Sequence, residues 1–212
     1  TPGHGAGETN WKLDRAEAEL VELEREMALS PIVFAHNDAL AGNIMLDENT
    51  GAVTLIDFEY GGYNYRGFDI ANHWNEWAGG TQAEMNGRCE YERFPSVEQR
   101  YAFAESYLRQ ETKLKAEALM QTGLFNDGGG ANAEEDNAMF LENVVAAAVD
   151  DAAVQSLVEE ANSFVQINHW YWGLWAINQT TTEGVDEFDY LTYAESRVQR
   201  YFDEKGGERT EF

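Results

Sequence analysis

Two acidic centres joined by a legible β-hairpin constrain this chain more than any other feature. Asp38 lies in His36-Asn-Asp-x-x-x-x-Asn43, and Asp57 lies in Ile56-Asp-Phe-Glu59. Between them, Asn43 to Asp47 (NIMLD) and Ala52 to Asp57 (AVTLID) alternate apolar and polar positions, the pattern of half-buried strands. Glu48-Asn49-Thr50-Gly51 supplies turn residues, and Gly51 can take a positive φ without a Cβ penalty. Pairing these strands sets Asn43, at the start of one, near Asp57, at the end of the other. Asp38 sits on the loop just before. Three oxygen-bearing side chains thus converge through local folding alone.

Magnesium-dependent phosphoryl transfer needs this set. One carboxylate accepts the proton of the attacking hydroxyl, while an amide and a second carboxylate hold the metal that neutralises the nucleotide phosphates. Asp38 is the expected base, and Asn43 and Asp57 the expected ligands; oxygen donors suit Mg²⁺, which keeps waters and borrows phosphate oxygens. Glu59 points to the same side as Asp57 in an extended segment and is expected to support the metal. A lone His-x-Asp would be a capping detail. The compound pattern is what carries the reading.

The segment resembles the catalytic core of the choline/ethanolamine kinases, which share the protein-kinase-like fold with the aminoglycoside phosphotransferases. The resemblance extends through Ser30-Pro-Ile-Val-Phe-Ala-His36 and through Glu59-Tyr-Gly-Gly-Tyr-Asn-Tyr-Arg-Gly-Phe-Asp69-Ile-Ala-Asn-His73. It continues in His169-Trp-Tyr-Trp172-Gly-Leu-Trp175 and Phe188-Asp-Tyr-Leu-Thr-Tyr193-Ala, similar to the segments that build the family's amine pocket. The resemblance implies that ATP is the co-substrate and that His36 orients the catalytic loop. It further implies that Asp69 ties that loop down by accepting backbone N–H bonds, a role compatible with an ordinary helix N-cap. Tyr60, Glu76, Trp172, Trp175, Phe188 and Tyr193 are the implied amine-binding residues. Trp172 and Trp175, three apart, share a helix face from which Trp170 is turned away. Aromatic faces hold a quaternary ammonium by cation–π attraction, and Glu76 would complement its charge. Leu40 stands where the choline kinases carry a glutamine. Residues 72–79 look more like the ethanolamine branch and residues 56–60 like the choline branch, so the choice of amine stays open.

A chain of 212 residues is expected to form a single domain with a real core. No apolar run is long enough to span a membrane, and TPGHGAGETNWK has no signal-peptide character. Cys89 is the only cysteine, which excludes an internal disulfide and points to the cytoplasm. The balance of 14 basic against 39 acidic residues gives a net charge of −25, a field that repels nucleic acid and anionic surfaces. It attracts cations, although solubility or a salty environment explains such acidity as well.

Periodicity predicts a mainly α chain (α+β) with one small sheet. A helix carries Leu13, Ala16, Leu20, Leu23 and Met27, and a strand spans Ile32 to Ala35. Further helices are expected over Asp69 to Trp77, after Pro95, over Glu134 to Thr180 in two pieces breaking near Asp150, and from about Asp189 to Glu204 before Gly206-Gly207. Residues 126–132 read as a flexible loop. A kinase-like enzyme also needs a glycine-rich loop and a lysine over the phosphates, yet Lys12, Lys113, Lys115 and Lys205 are the only lysines and none lies in a strand context. The expectation is therefore a large C-terminal lobe, whose nucleotide-binding N-terminal lobe or partner chain lies outside these residues. The expected function is ATP-dependent phosphorylation of the hydroxyl of choline or ethanolamine, the entry step of phospholipid head-group synthesis, with a homodimer as a further expected partner. The alternative is a non-catalytic lobe serving as a scaffold or binding subunit.

Overall fold

The computed structural model describes residues 29–82, 84–122, 133–182 and 188–205, with positions 18, 20, 21, 23 and 25. Those five early positions are helical, as the Leu13–Met27 periodicity predicts. The expected 126–132 loop and the Gly206-Gly207 stop lie outside the described residues. The strands are β1 (Ile32–Ala35), β2 (Ile44–Leu46), β3 (Val53–Leu55) and β4 (Gly62–Tyr65). The helices are α1 (Arg66–Asn75), α2 (Val97–Gln121), α3 (Ala133–Ala148), α4 (Asp151–Ser163), α5 (Val165–Thr182) and α6 (Tyr190–Lys205). Helical residues dominate. The chain divides into two compact units, Thr1–Phe94 with Glu160–Phe212, and Pro95–Glu159.

In the first unit the expected single sheet is two separate antiparallel pairs. β2 and β3 form the predicted hairpin with Ile44 opposite Leu55, closed by a turn in which Gly51 has φ 71°. β1 pairs with β4, Ile32 opposite Tyr65 and Ala35 opposite Gly62. The hairpin is not half-buried as its alternation suggested: Met45, Leu46, Val53 and Leu55 all face solvent. α1 begins three residues earlier than expected and passes into a 3₁₀ turn at Glu76–Ala78. Asp69 therefore lies inside its first turn, and Tyr65 takes the N-cap position without a side-chain bond.

α5 packs along α6, and α1 packs against α5. Their interface holds Phe68, Phe164, Ile167, Trp170, Val198 and Tyr201, burial that drives the assembly of this unit. Close approach is built in at Gly67, where a Cβ would sit 2.5 Å from the Phe164 ring. Ser30 links strand to helix, donating to Glu160 at 2.7 Å and accepting from the Gly67 N–H at 3.0 Å. Arg66 forms a bidentate ion pair with the same Glu160.

In the second unit α2 and α3 pack as a pair. Ser96 opens α2 with a complete capping box shared with Gln99. The break near Asp150 occurs because its carboxylate caps the next helix, accepting from the Ala153 N–H at 2.8 Å. A second break, not expected, falls at Phe164, so the 134–180 region is three helices rather than two.

Candidate active site

The loop after β1 is held from several sides. Asp69 on α1 accepts the backbone N–H of Asn37 at 2.7 Å and of His36 at 3.1 Å. One turn on, His73 bonds the Ala39 carbonyl at 2.8 Å. Asn37 has φ 65°, a conformation costly for a residue with a Cβ. It persists because its amide donates to the Tyr60 carbonyl and accepts from Asn64, both at 2.8 Å. The buried His36 ring closes the loop: Nε2 lies 2.9 Å from the Ile56 carbonyl, and Nδ1 accepts the Asp38 N–H at 3.3 Å. A carbonyl requires N–H at Nε2, and an N–H donor requires a bare Nδ1. His36 is thus committed to scaffolding by both ring nitrogens.

Asp38 and Asn43 meet directly. Asn43 Nδ2 donates to the Asp38 carbonyl at 2.9 Å and to its Oδ2 at 3.1 Å. Both partners are acceptors, so Oδ1 is the Asn43 atom left to serve a cation. The Ile56 N–H donates to the Asn43 carbonyl at 3.0 Å, which seats Asp57 one residue beyond that link. Asp57 is exposed and holds φ 61°. Burial pushes the Asp38 carboxyl up to about 6, against the pull of His36 and of the Asn43 bond, with the charges of Asp57 and Glu59 reinforcing the rise. Asp38, Asn43 and Asp57 therefore share one locality. Among the described residues no three His, Cys, Asp or Glu side chains form a metal-ligand cluster. The available donors are one amide and one carboxylate, a set that fits a Mg²⁺ completed by water and phosphate oxygens.

Asp38 also lines a cavity of about 170 Å³. Its walls are the rings of Tyr60, Trp172, Trp175 and Tyr193 with the carboxylates of Glu59 and Glu76, and Leu40 and Thr81 complete it. Trp172 lies edge-on to Tyr60 and Trp175, with centroids 5.4 and 5.2 Å apart. Trp175 Nε1 donates to the Tyr60 hydroxyl at 3.2 Å. Glu76 is buried, and its Oε2 has no hydrogen-bond partner among the described residues. Desolvation raises the Glu76 carboxyl to about 7, against the pull of Arg197. Phe188 does not line the cavity; it packs behind it on Tyr190 and Tyr193. Glu59, expected beside the metal, faces the same cavity. Sequence reasoning passed over Arg197, which is fully buried one turn after Tyr193. An arginine among buried positions 193, 194, 198, 201 and 202 of a helix was the available signal.

A loop-borne carboxylate paired to an asparagine, a hairpin ending in an aspartate and a helical aromatic cavity stand together on a mainly helical, kinase-like fold. The fold has solved counterparts in an ethanolamine kinase of Plasmodium vivax (TM-score 0.60, 27% identity, 89% of this chain and 38% of that one) and a choline kinase of Cryptosporidium parvum (TM-score 0.57, 25% identity, 92% and 43%). The choline/ethanolamine kinase family profile matches residues 7–202, and this chain belongs to that family. Curated relatives include a probable ethanolamine kinase of Arabidopsis thaliana, 35% identical over 189 residues, and choline kinase alpha of Mus musculus, 36% over 183. The chain spans 40% and 34% of their respective lengths.

Proposed function

We propose that this chain is the catalytic and amine-binding lobe of an ATP-dependent kinase acting on the hydroxyl of choline or ethanolamine. The observation that carries the reading is the single small cavity uniting Asp38 with four aromatic rings and the free oxygen of buried Glu76. A cationic ammonium fits the aromatic and anionic end. An amino alcohol held there directs its hydroxyl to Asp38, which takes the proton as the γ-phosphoryl group is transferred to the hydroxyl oxygen. Asn43 and Asp57 would hold Mg²⁺, which supplies charge neutralisation at the phosphates when bound. His36, Asp69 and His73 keep the loop in place.

The nucleotide-binding lobe, with its glycine-rich loop and lysine, belongs outside residues 1–212 in this reading. Exposed Phe34, Met45, Leu46, Val53, Ile56 and Tyr63, spread over the two strand pairs, support it, since so many bare apolar side chains call for a cover. A lone cysteine and a cationic substrate agree with a cytoplasmic enzyme of head-group synthesis.

The test is Mg-ATP-dependent phosphorylation of choline and ethanolamine, followed by phosphorus NMR, in a protein joining this chain to a nucleotide-binding lobe. Asp38→Asn should reduce turnover by about 10²–10⁴, the usual worth of a positioned base, while leaving amine affinity near that of the parent. A variant keeping more than a tenth of the parental rate refutes the base assignment. A parent that binds the amine without turnover supports the scaffold alternative.

A further inference from the structure

Arg197 has no part in the chemistry described so far, yet it touches two walls of the cavity, Glu76 and Tyr193. Its side chain is wholly buried on α6. Nη1 donates to Glu76 Oε1 at 3.3 Å, and Nη2 donates to Asn168 Oδ1 at 2.8 Å. The guanidinium also lies 5.5 Å from the centroid of the Tyr193 ring. From Asn168 the chain continues: its Nδ2 donates to Asn72 Oδ1 at 2.9 Å, and the same Asn72 oxygen accepts Trp172 Nε1 at 2.7 Å.

Only one orientation of the two amides makes all of these bonds. Guanidinium and indole are donors without acceptor capacity, so each end must meet an oxygen. That fixes the orientation of both amides, and Asn75 Nδ2 locks it by donating to Asn168 Oδ1 at 2.9 Å. Asn72 Nδ2, Asn75 Oδ1 and Arg197 Nε find no partner among the described residues, so the bonds that are made are what hold these groups in place. Arg197 satisfies only Oε1 of Glu76; among the described residues Oε2 has no partner, on a carboxylate that lines the cavity.

We infer that Arg197 is the positioning residue of the ammonium subsite: it engages Oε1 of Glu76 and leaves Oε2 turned to the substrate, and through Asn168 and Asn72 it sets the Trp172 ring. The inference rests on the proposed amino-alcohol cavity and deepens it, because cation selectivity then depends on a residue that never touches the ligand. Burial alone favours the protonated acid of Glu76, and the neighbouring guanidinium opposes that. The other titratable groups facing Glu76 are Asp38 on the loop after β1 and Tyr193 on α6, while Cys89 and Tyr91 act on Arg197. With Arg197 in place the ion pair presents its negative end to the cavity.

Choline stays cationic at every pH, and 3,3-dimethylbutan-1-ol is its neutral isostere, so their affinity ratio reads charge recognition alone. Tryptophan fluorescence titration of residues 1–212 at pH 8 supplies both affinities. Arg197→Lys keeps the charge but cannot fork between Glu76 and Asn168. It should lower the choline-to-isostere ratio about threefold or more. Arg197→Met should lower it about tenfold near pH 7, with partial recovery towards pH 9 as Glu76 ionises unaided. In the Glu76→Gln background, Arg197→Lys should move the ratio much less, since the carboxylate is gone and only the route through Asn168 and Asn72 to Trp172 is left. Circular dichroism screens folding, and the Lys variant with its double mutant decides the matter if Met fails to fold. A ratio unmoved by Arg197→Lys, or moved equally in both backgrounds, overturns the inference while leaving the cavity assignment intact. A parent that binds neither ligand overturns both.

Discussion

Replacing Trp172 by Phe separates packing from recognition, because the indole does both. The side chain is 4% exposed, and its Nε1 donates to Asn72 Oδ1 at 2.7 Å. Phenylalanine removes that bond. Asn72 Oδ1 keeps the Asn168 donor, so the loss is one ordinary hydrogen bond, about 1 kcal/mol, rather than an orphaned acceptor. Three ring atoms also disappear. A residual void on the order of 40 Å³ costs about 1 kcal/mol at ~24 cal/mol per Å³. Weaker edge-on contacts with Tyr60, Tyr171 and Trp175 bring the expected destabilisation to about 2–3 kcal/mol. That leaves a folded protein when net stability is about 5–15 kcal/mol. Choline affinity should fall less than about tenfold, because phenylalanine retains a π face. Urea unfolding followed by circular dichroism gives the stability change, and fluorescence titration gives the affinity. A stability change below about 0.5 kcal/mol would show that the indole is not the buried, bonded wall described here, since surface substitutions fall in that range.

Trp175 is less buried, so Trp175→Leu should cost little stability and weaken choline binding about tenfold in the same titration, the loss of one desolvated cation–π contact. Asp69→Ala removes two bonds to a loop that holds Asn37 at positive φ, and should destabilise by about 2–4 kcal/mol in urea unfolding; a neutral result would mean the loop is held elsewhere. Glu76 keeps its proton to about pH 7 when folded but to only about 4.5 otherwise, so the folded state binds more protons between these values. Its contribution is full below about pH 4.5 and is lost as pH rises through 7; Glu76→Gln should flatten that slope by on the order of 2–3 kcal/mol in unfolding measured at several pH values. Gly87 has φ 89°, and a Cβ there would lie 2.6 Å from the Asp189 carbonyl; Gly87→Ala should destabilise by more than about 2 kcal/mol, read as a lower thermal midpoint.

Local chemistry made the hairpin readable, because its turn and its alternation lie within a dozen residues. The same alternation misled on burial. Met45, Leu46, Val53 and Leu55 are exposed although their spacing is that of a half-buried strand, and spacing cannot say which partner covers a face. β4 went unread because four residues, two of them tyrosines after a glycine pair, gain strand character only by pairing with β1, some thirty positions away. The helices announced themselves through caps and periodicity, apart from the break at Phe164, where tertiary burial of one ring competes with helix continuity. At the site, Asp38 and Asn43 were legible from a five-residue spacing. Arg197 was not, since its meaning depends on Glu76 and Asn168 meeting it from two other elements.

The most direct test of the account is the position of the ligand in a crystal of this chain soaked with choline. The ammonium nitrogen should lie within about 6 Å of the Trp172 and Trp175 ring centroids and face Glu76 Oε2. The hydroxyl oxygen should stand within about 2.6–3.2 Å of an Asp38 carboxylate oxygen. Choline bound outside this cavity, or within it with the hydroxyl turned away from Asp38, contradicts the account.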